Sequence, residues 1–242
     1  MPEFNPRPPI AAAPISVIFF AHALETDTQA VLDSWRAYLD TLKRPTEALL
    51  VQETRPEVTA NLPPPGVILY DRASGFRDAL NEAIRSAQHP LIVFCTADKQ
   101  YQPADLDRML KTIDQVDMVI GYRAGGQAPP WRVLLDTLVG LFSRVVLGVP
   151  LEPRKCWLSG GWGRRWIARW LFGIRASDPE CIFRLARRSI FEHMPIQSAG
   201  PFVAIEMLAK ANHLTCYLAE EPVTWTAPQM PISDAITFSA DA

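Results

Sequence analysis

Leu91-Ile-Val-Phe-Cys-Thr-Ala-Asp98-Lys-Gln100-Tyr-Gln-Pro103 joins an apolar run to a polar turn. Leu91 to Cys95 is an unbroken apolar run without polar alternation, the pattern of a strand buried on both faces. Polar residues begin at Thr96, and beyond Pro103 the apolar positions Leu106, Met109 and Leu110 return at helical spacing. A buried strand that passes through a polar turn into a helix is the repeating unit of an open α/β sheet. Ligands of such sheets sit beyond the carboxyl ends of the strands, where Thr96 to Gln100 fall.

The same alternation extends outward from this stretch. Ile15–Ala21 reads as a first strand, and Val31, Leu32, Trp35, Tyr38, Leu39 and Leu42 follow at helical spacing after Thr26 and Asp27. Ala48–Val51 and Val67–Tyr70 read as strands on either side of a Pro-rich connection. Gly75 to Ala87 is helical, with Phe76, Ala79, Leu80, Ala83 and Ile84 on one face. A helix over 104–114 and a strand from Asp117 to Gly121 complete this half. Strand–helix alternation predicts an α/β fold with a mostly parallel sheet.

Composition narrows the function. A chain of 242 residues is long enough for one large core, so a single domain over 15–227 is expected, with a loose Pro/Ala-rich leader over 1–14 and a weakly patterned tail over 228–242. Twenty-four basic residues against 26 acidic ones leave no basic excess, which argues against a nucleic-acid partner. Cys95, Cys156, Cys181 and Cys216 form no Cys-x-x-Cys pair, and no apolar signal segment follows the start, so a reduced, cytoplasmic setting is expected. The four histidines lack metal-ligand spacing.

Thr96-Ala-Asp98-Lys-Gln100…Pro103 resembles the Asp-x-Asp-x-Gln…Pro element of family 2 glycosyltransferases. Three further segments match that family in order and distance: Arg72-x-x-Gly75-x-x-x-Ala79-Leu-Asn81, Asp117-Met-Val-Ile-Gly-Tyr-Arg123, and Asp178-Pro-Glu-Cys181-Ile-Phe183-Arg-Leu-Ala-Arg-Arg188. The closing helix and strand, Gly200 to Ala211 and Glu221-Pro-Val223, are similar to the acceptor side of its dolichyl-phosphate-mannose-synthase-like branch. Several ordered motifs are more specific than any one alone.

The resemblance implies a GT-A fold, a mostly parallel mixed sheet flanked by helices, and transfer of a hexose from a nucleoside-diphosphate sugar. It implies that Asp98 and Gln100 hold a divalent metal, Mg²⁺ or Mn²⁺, with affinity lowered because Thr96 replaces the first carboxylate. On its own residues Asp98 reads equally well as the cap of a turn. Arg123 and Arg132 become phosphate ligands, and Gln52 and Glu53 stand where an Asp-Asp-Gly-Ser donor motif normally follows the second strand. Phe20-Ala-His22-Ala-Leu24 likewise replaces Pro-x-Tyr-Asn-Glu at the end of the first. Asp178 is the carried-over base for an acceptor hydroxyl, or an orienting group if the acceptor is an ionised phosphate. Glu206 either shapes the acceptor side or is an ordinary helix carboxylate. Asp71, Arg72 and Asn81 read as a loop and helix entrance.

Between Trp131 and Arg175 lie five of the seven tryptophans, and Lys and Arg outnumber Asp136 and Glu152 eight to two. Tryptophan favours the membrane–water boundary, and each cation near an anionic surface contributes about 1 kcal/mol. The segment 131–175 is therefore expected to be an amphipathic helical insertion touching the inner face of a membrane. A packed helical subdomain or an oligomer interface is the alternative. Asp136 and Arg144 argue against a span through the bilayer. The expected acceptor is lipid-linked, such as a polyprenyl phosphate. A fold-retaining binding or regulatory protein that has lost donor chemistry is the competing class, and nucleotidyl transfer on a related sheet is a third.

Overall fold

The computed structural model describes residues 9–21, 28–53, 67–70, 75–124, 176–198 and 202–226. The strands are β1 (Ile15–Ala21), β2 (Thr46–Glu53), β3 (Val67–Tyr70), β4 (Leu91–Thr96), β5 (Met118–Ala124), β6 (Arg184–Arg187) and β7 (Leu218–Thr224). The helices are α1 (Thr28–Thr41), α2 (Gly75–Ser86), α3 (Leu106–Thr112) and α4 (Phe202–His213). They form one seven-stranded sheet in the order β3-β2-β1-β4-β6-β5-β7. Every strand is parallel to β1 except β6, which runs antiparallel to both β4 and β5.

Alternation along each strand divides the core between the two faces of the sheet. Ile15, Val17 and Phe19 of β1 join Val31, Trp35 and Leu39 of α1 and Leu106, Met109 and Leu110 of α3 on one face. Ile18, with Ile92 and Phe94 of β4, packs against α2 and α4 on the other. Val31, Trp35 and Leu39 are four residues apart, so one stripe of α1 is buried. Trp35 is 1% exposed and meets Phe19 and Phe183 edge-on at 5.5 and 5.7 Å between centroids. Each such pair contributes about 0.5–1.5 kcal/mol beyond its area.

The residues preceding β1 are anchored as well. Ile10, Ala11 and Ala13 pack against the α1–α3 face, and the N–H groups of Ile10 and Ala11 donate to Asp114 Oδ1 at 2.5 and 2.7 Å.

β6 is the element least visible to pattern reading, because two of its four residues are arginines. Both are buried, and both are solvated by main-chain carbonyls. Arg187 donates to the carbonyls of Val116, Ile113 and Asp114. Arg184, 0% exposed, donates to those of Cys181 (2.8 Å), Ala204 (2.5 Å) and Pro179 (2.7 Å). Burial pushes the Arg184 guanidinium down to about 10, against the attraction of nearby Asp178.

β5 is so crowded at Gly121 that a Cβ there would lie 2.7 Å from the carbonyl oxygen of Phe183, just before β6, and 2.9 Å from Val223 Cγ1 of β7. Only glycine fits. Of the cysteines, Cys95 and Cys181 are buried thiols and Cys216 is half-buried. Cys156, the tail and the whole 131–175 segment, Arg132 included, lie outside the described residues. Among the described residues no helix is long and apolar enough to cross a membrane.

Candidate active site

The topology sets the address of the site. Parallel strands point their carboxyl ends to one edge, so Ala21, Gln52, Glu53, Thr96 and Arg123 all lie along it. Because β6 alone runs the other way, its leading turn, 178–183, arrives at the same edge. The strand order reverses between β1 and β4, the switch point at which open sheets form a crevice. Asp98, two residues past β4, stands beside it.

Asp98 is held by its own turn. Oδ1 accepts from Thr96 Oγ1 at 2.7 Å and from the Gln100 N–H at 3.0 Å, while Oδ2 accepts from Gln100 Nε2. The carboxylate thus caps the turn, as its bare sequence reading allowed, and is still partly exposed. Gln100 turns its oxygen the other way, accepting from Trp225 Nε1 at 3.2 Å.

On the β5 side, Arg123 and Asp178 form a bidentate ion pair. Nε and Nη2 of the arginine donate to Oδ2 and Oδ1 at 2.6 and 2.8 Å. Asp178 is 0% exposed and the Arg123 side chain 12%. Burial by itself would lower the Arg123 pKa, but the Asp178 carboxylate outweighs it and holds the guanidinium above its ordinary value. The Arg123 guanidinium also lies 5.6 Å from the Trp225 ring centroid.

This geometry bears on the two roles expected of Asp178, base and orienting group. A general base needs a lone pair aimed at the proton it takes. Both oxygens of Asp178 face Arg123, and none of its surface reaches water, so in this structure the carboxylate holds an arginine in place. Asp178 is in turn fixed by its backbone: Cys181 N–H closes the turn on the Asp178 carbonyl at 3.1 Å, and Arg184 grips the carbonyls of Pro179 and Cys181. Burial, then Asp178, push the Cys181 thiol up to about 12, so no thiolate is available there.

Gln52 ends β2 next to Ala21 and is only 7% exposed, and Glu53 follows it at the same edge. Glu206 is anchored within its own helix and the segment before it. Its oxygens accept from the N–H groups of Gln197 and Ser198 at 2.8 and 2.6 Å and from Lys210 at 2.5 Å, tying the segment before α4 to that helix. Asn81 likewise pairs with both backbone groups of Ile196, a structural staple between α2 and that segment. Trp225, central to the site, escapes motif reading, and Arg184 lies within the Asp178–Arg188 motif without its carbonyl-gripping role being legible there. A tryptophan directly after the last strand, at the carboxyl edge, was the available signal for Trp225.

The family model described as Glycosyl transferase family 2 matches residues 51–193. The chain belongs to glycosyl transferase family 2. Its GT-A-type fold, a mixed sheet with helices on both faces, agrees with solved structures of the same kind. The glucosyl-3-phosphoglycerate synthase of Mycobacterium tuberculosis superposes with a TM-score of 0.57 at 16% identity, covering 93% of this chain and 76% of that one. The same enzyme in complex with Mg²⁺ and uridine diphosphate gives a TM-score of 0.59 at 14% identity, covering 93% and 75%. Its complex with Mn²⁺, uridine diphosphate and glucosyl-3-phosphoglycerate gives 0.57 at 16%, with the same coverage. At such identities the likeness is one of fold. No curated protein sequence matches the chain.

The turn can be tested for the metal that the fold family implies. Asp98 offers hard carboxylate oxygens with part of their surface exposed, which suits Mg²⁺ or Mn²⁺ when the remaining ligands come from phosphate and water. Thr96 adds a neutral hydroxyl. Among the described residues no group of three or more His, Cys, Asp or Glu side chains is gathered for a metal. The donor set thus fits a single-carboxylate site on Asp98, with Gln100 presenting nitrogen in this structure.

Proposed function

We propose that this family 2 protein transfers a hexose from a nucleoside-diphosphate sugar to an ionised phosphate acceptor, a polyprenyl phosphate being the class favoured, at a membrane surface. The observation that carries the reading of the acceptor is the Arg123–Asp178 pair. A hydroxyl acceptor needs a base, and Asp178 has both oxygens committed to the arginine. A phosphate acceptor is already nucleophilic and needs only to be positioned and stripped of water. The order of motifs from Arg72 to Val223 supports the dolichyl-phosphate-mannose-synthase-like branch.

In this reading the donor lies across the crevice between β1 and β4. Gln52 and Glu53, at the end of β2, sit on the nucleoside side. Asp98 would hold a divalent cation, which supplies charge neutralisation for the departing diphosphate. Arg123, oriented by Asp178 and backed by the Trp225 ring, presents positive charge to phosphate, with Arg132 as its proposed partner. Asp178 moves no proton. The Trp/Arg-rich segment 131–175 is proposed as the peripheral membrane contact that delivers the acceptor.

The test is transfer from a panel of UDP- and GDP-sugars to polyprenyl phosphate, with the corresponding free alcohol alongside. Transfer to the phosphate but not to the alcohol is expected. Equal transfer to both would mean that a base exists and that Asp178 has been assigned the wrong part. Thr96 in place of a carboxylate and the self-satisfied Asp98 turn favour a second reading, a binding protein without turnover. It predicts nucleotide binding without product, or no nucleotide binding at all.

A further inference from the structure

Trp225 joins the two sides of the site. Its backbone forms an antiparallel bridge to Tyr101, and the next N–H, of Thr226, donates to the Gln100 carbonyl at 2.9 Å. Its ring lies against the Arg123 guanidinium, and its Nε1–H reaches Gln100 Oε1. The position is locked one residue upstream, where Asp105, 2% exposed, accepts from the Thr224 N–H at 2.6 Å.

The chemistry of the three partners then fixes Gln100. An indole N–H can only donate, and a carboxylate can only accept. An amide placed between them satisfies both in one orientation, with oxygen toward Trp225 and nitrogen toward Asp98. A hard cation on Asp98 takes oxygen ligands, so this orientation offers it the wrong atom.

We infer that Trp225 is a positioning residue whose indole N–H holds the Gln100 amide with its nitrogen on Asp98, so that Gln100 becomes an oxygen ligand only when this bond breaks. The inference rests on the donor site proposed above and adds a built-in competitor to it. Recruiting Gln100 to the metal must turn the amide, which releases the tryptophan that also backs Arg123. Cation binding on the β4 side is thereby coupled to the phosphate-binding arginine on the β5 side.

Trp225→Phe keeps an aromatic ring beside Arg123 and removes the donor. Mn²⁺ alone is titrated into wild type, W225F, Q100A and the double variant, with the free ion followed by electron paramagnetic resonance and folding checked by circular dichroism. W225F is expected to bind Mn²⁺ about fivefold more tightly than wild type, the factor released by one neutral hydrogen bond. On the Q100A background the same change is expected to have no effect. A W225F affinity no higher than wild type, including no binding by either, overturns the inference, as does an equal gain without Gln100.

A second measurement stands even if W225F fails to fold. In protein labelled with ¹⁵N at the indoles, one indole N–H signal is expected to move upfield in Q100A, and seven unmoved signals would contradict the hydrogen bond. UDP added at saturating Mn²⁺ separates the two levels of argument. Its failure to bind every variant removes the donor reading and leaves the Mn²⁺ comparison to decide the role of Trp225.

Discussion

Replacing Asp178 by asparagine separates a structural carboxylate from a catalytic one. The substitution preserves shape and deletes the charge that faces Arg123. Removing one partner of a buried pair costs about 3–5 kcal/mol, because the other is left uncompensated. Here Asp178 is 0% exposed and the Arg123 side chain 12%, so water reaches the stranded guanidinium poorly. The asparagine oxygen still accepts one hydrogen bond, which recovers about 1 kcal/mol. The expected net loss is about 3 kcal/mol. In a chain of this size each kcal/mol moves Tm by about 2–4 °C, so D178N should melt about 6–12 °C below wild type by circular dichroism. R123M combined with D178L removes both charges and should recover most of that loss, since a well-packed apolar pair replaces a buried ion pair at little cost. A D178N variant that melts within about 1 °C of wild type and yet abolishes sugar transfer would contradict a structural role for this carboxylate. That outcome is the signature of a proton acceptor.

Glu206 gives a pH dependence with a definite sign. Burial raises its pKa, but the Lys210 ammonium and the Ser198 and Gln197 N–H groups outweigh that, and the carboxyl is held below its ordinary value of 4.5. A depressed carboxyl contributes stability above its unfolded value and loses it as pH falls through the folded one. The urea midpoint of wild type should therefore exceed that of E206Q at pH 7, with the gap closing as pH drops below about 4.5. Gly121→Ala should destabilise by about 1–3 kcal/mol, read from the same denaturation curves, because its Cβ would meet the Phe183 carbonyl oxygen at 2.7 Å. For the Trp/Arg-rich segment, the protein should float with vesicles containing anionic lipid and remain behind with neutral ones. Changing Arg164, Arg165 and Arg169 to glutamine should reduce flotation, and an unaltered distribution would favour a subdomain or oligomer interface instead.

The first half of the fold was legible because each strand there is a run of apolar residues and each helix an apolar stripe. Ile15–Ala21 and Val67–Tyr70 coincide with the observed strands, and Leu91–Cys95 gains only Thr96. β6 was opaque as a strand because Arg184 and Arg187 break the pattern, and their burial depends on carbonyls contributed by distant loops. The address of the site could be read from the strand ends, whereas its wiring could not. Which atom of Gln100 faces Asp98 depends on an indole 125 residues away in sequence, and the oxygens of Asp178 are taken up by an arginine 55 residues away. Motif resemblance transfers residue types, and hydrogen-bond partners decide what those residues can do.

We propose that the turn carrying Asp98, at the carboxyl edge of the sheet, receives the diphosphate of a nucleotide sugar. Titration calorimetry with UDP, GDP and their sugars, in Mg²⁺ or Mn²⁺ and in chelator, addresses it most directly. Binding of at least one nucleotide is expected, weakened at least tenfold both by chelator and in Asp98→Ala, the folding of the variant being checked by circular dichroism. A folded protein that binds none of them, or binds equally well without Asp98, would contradict it.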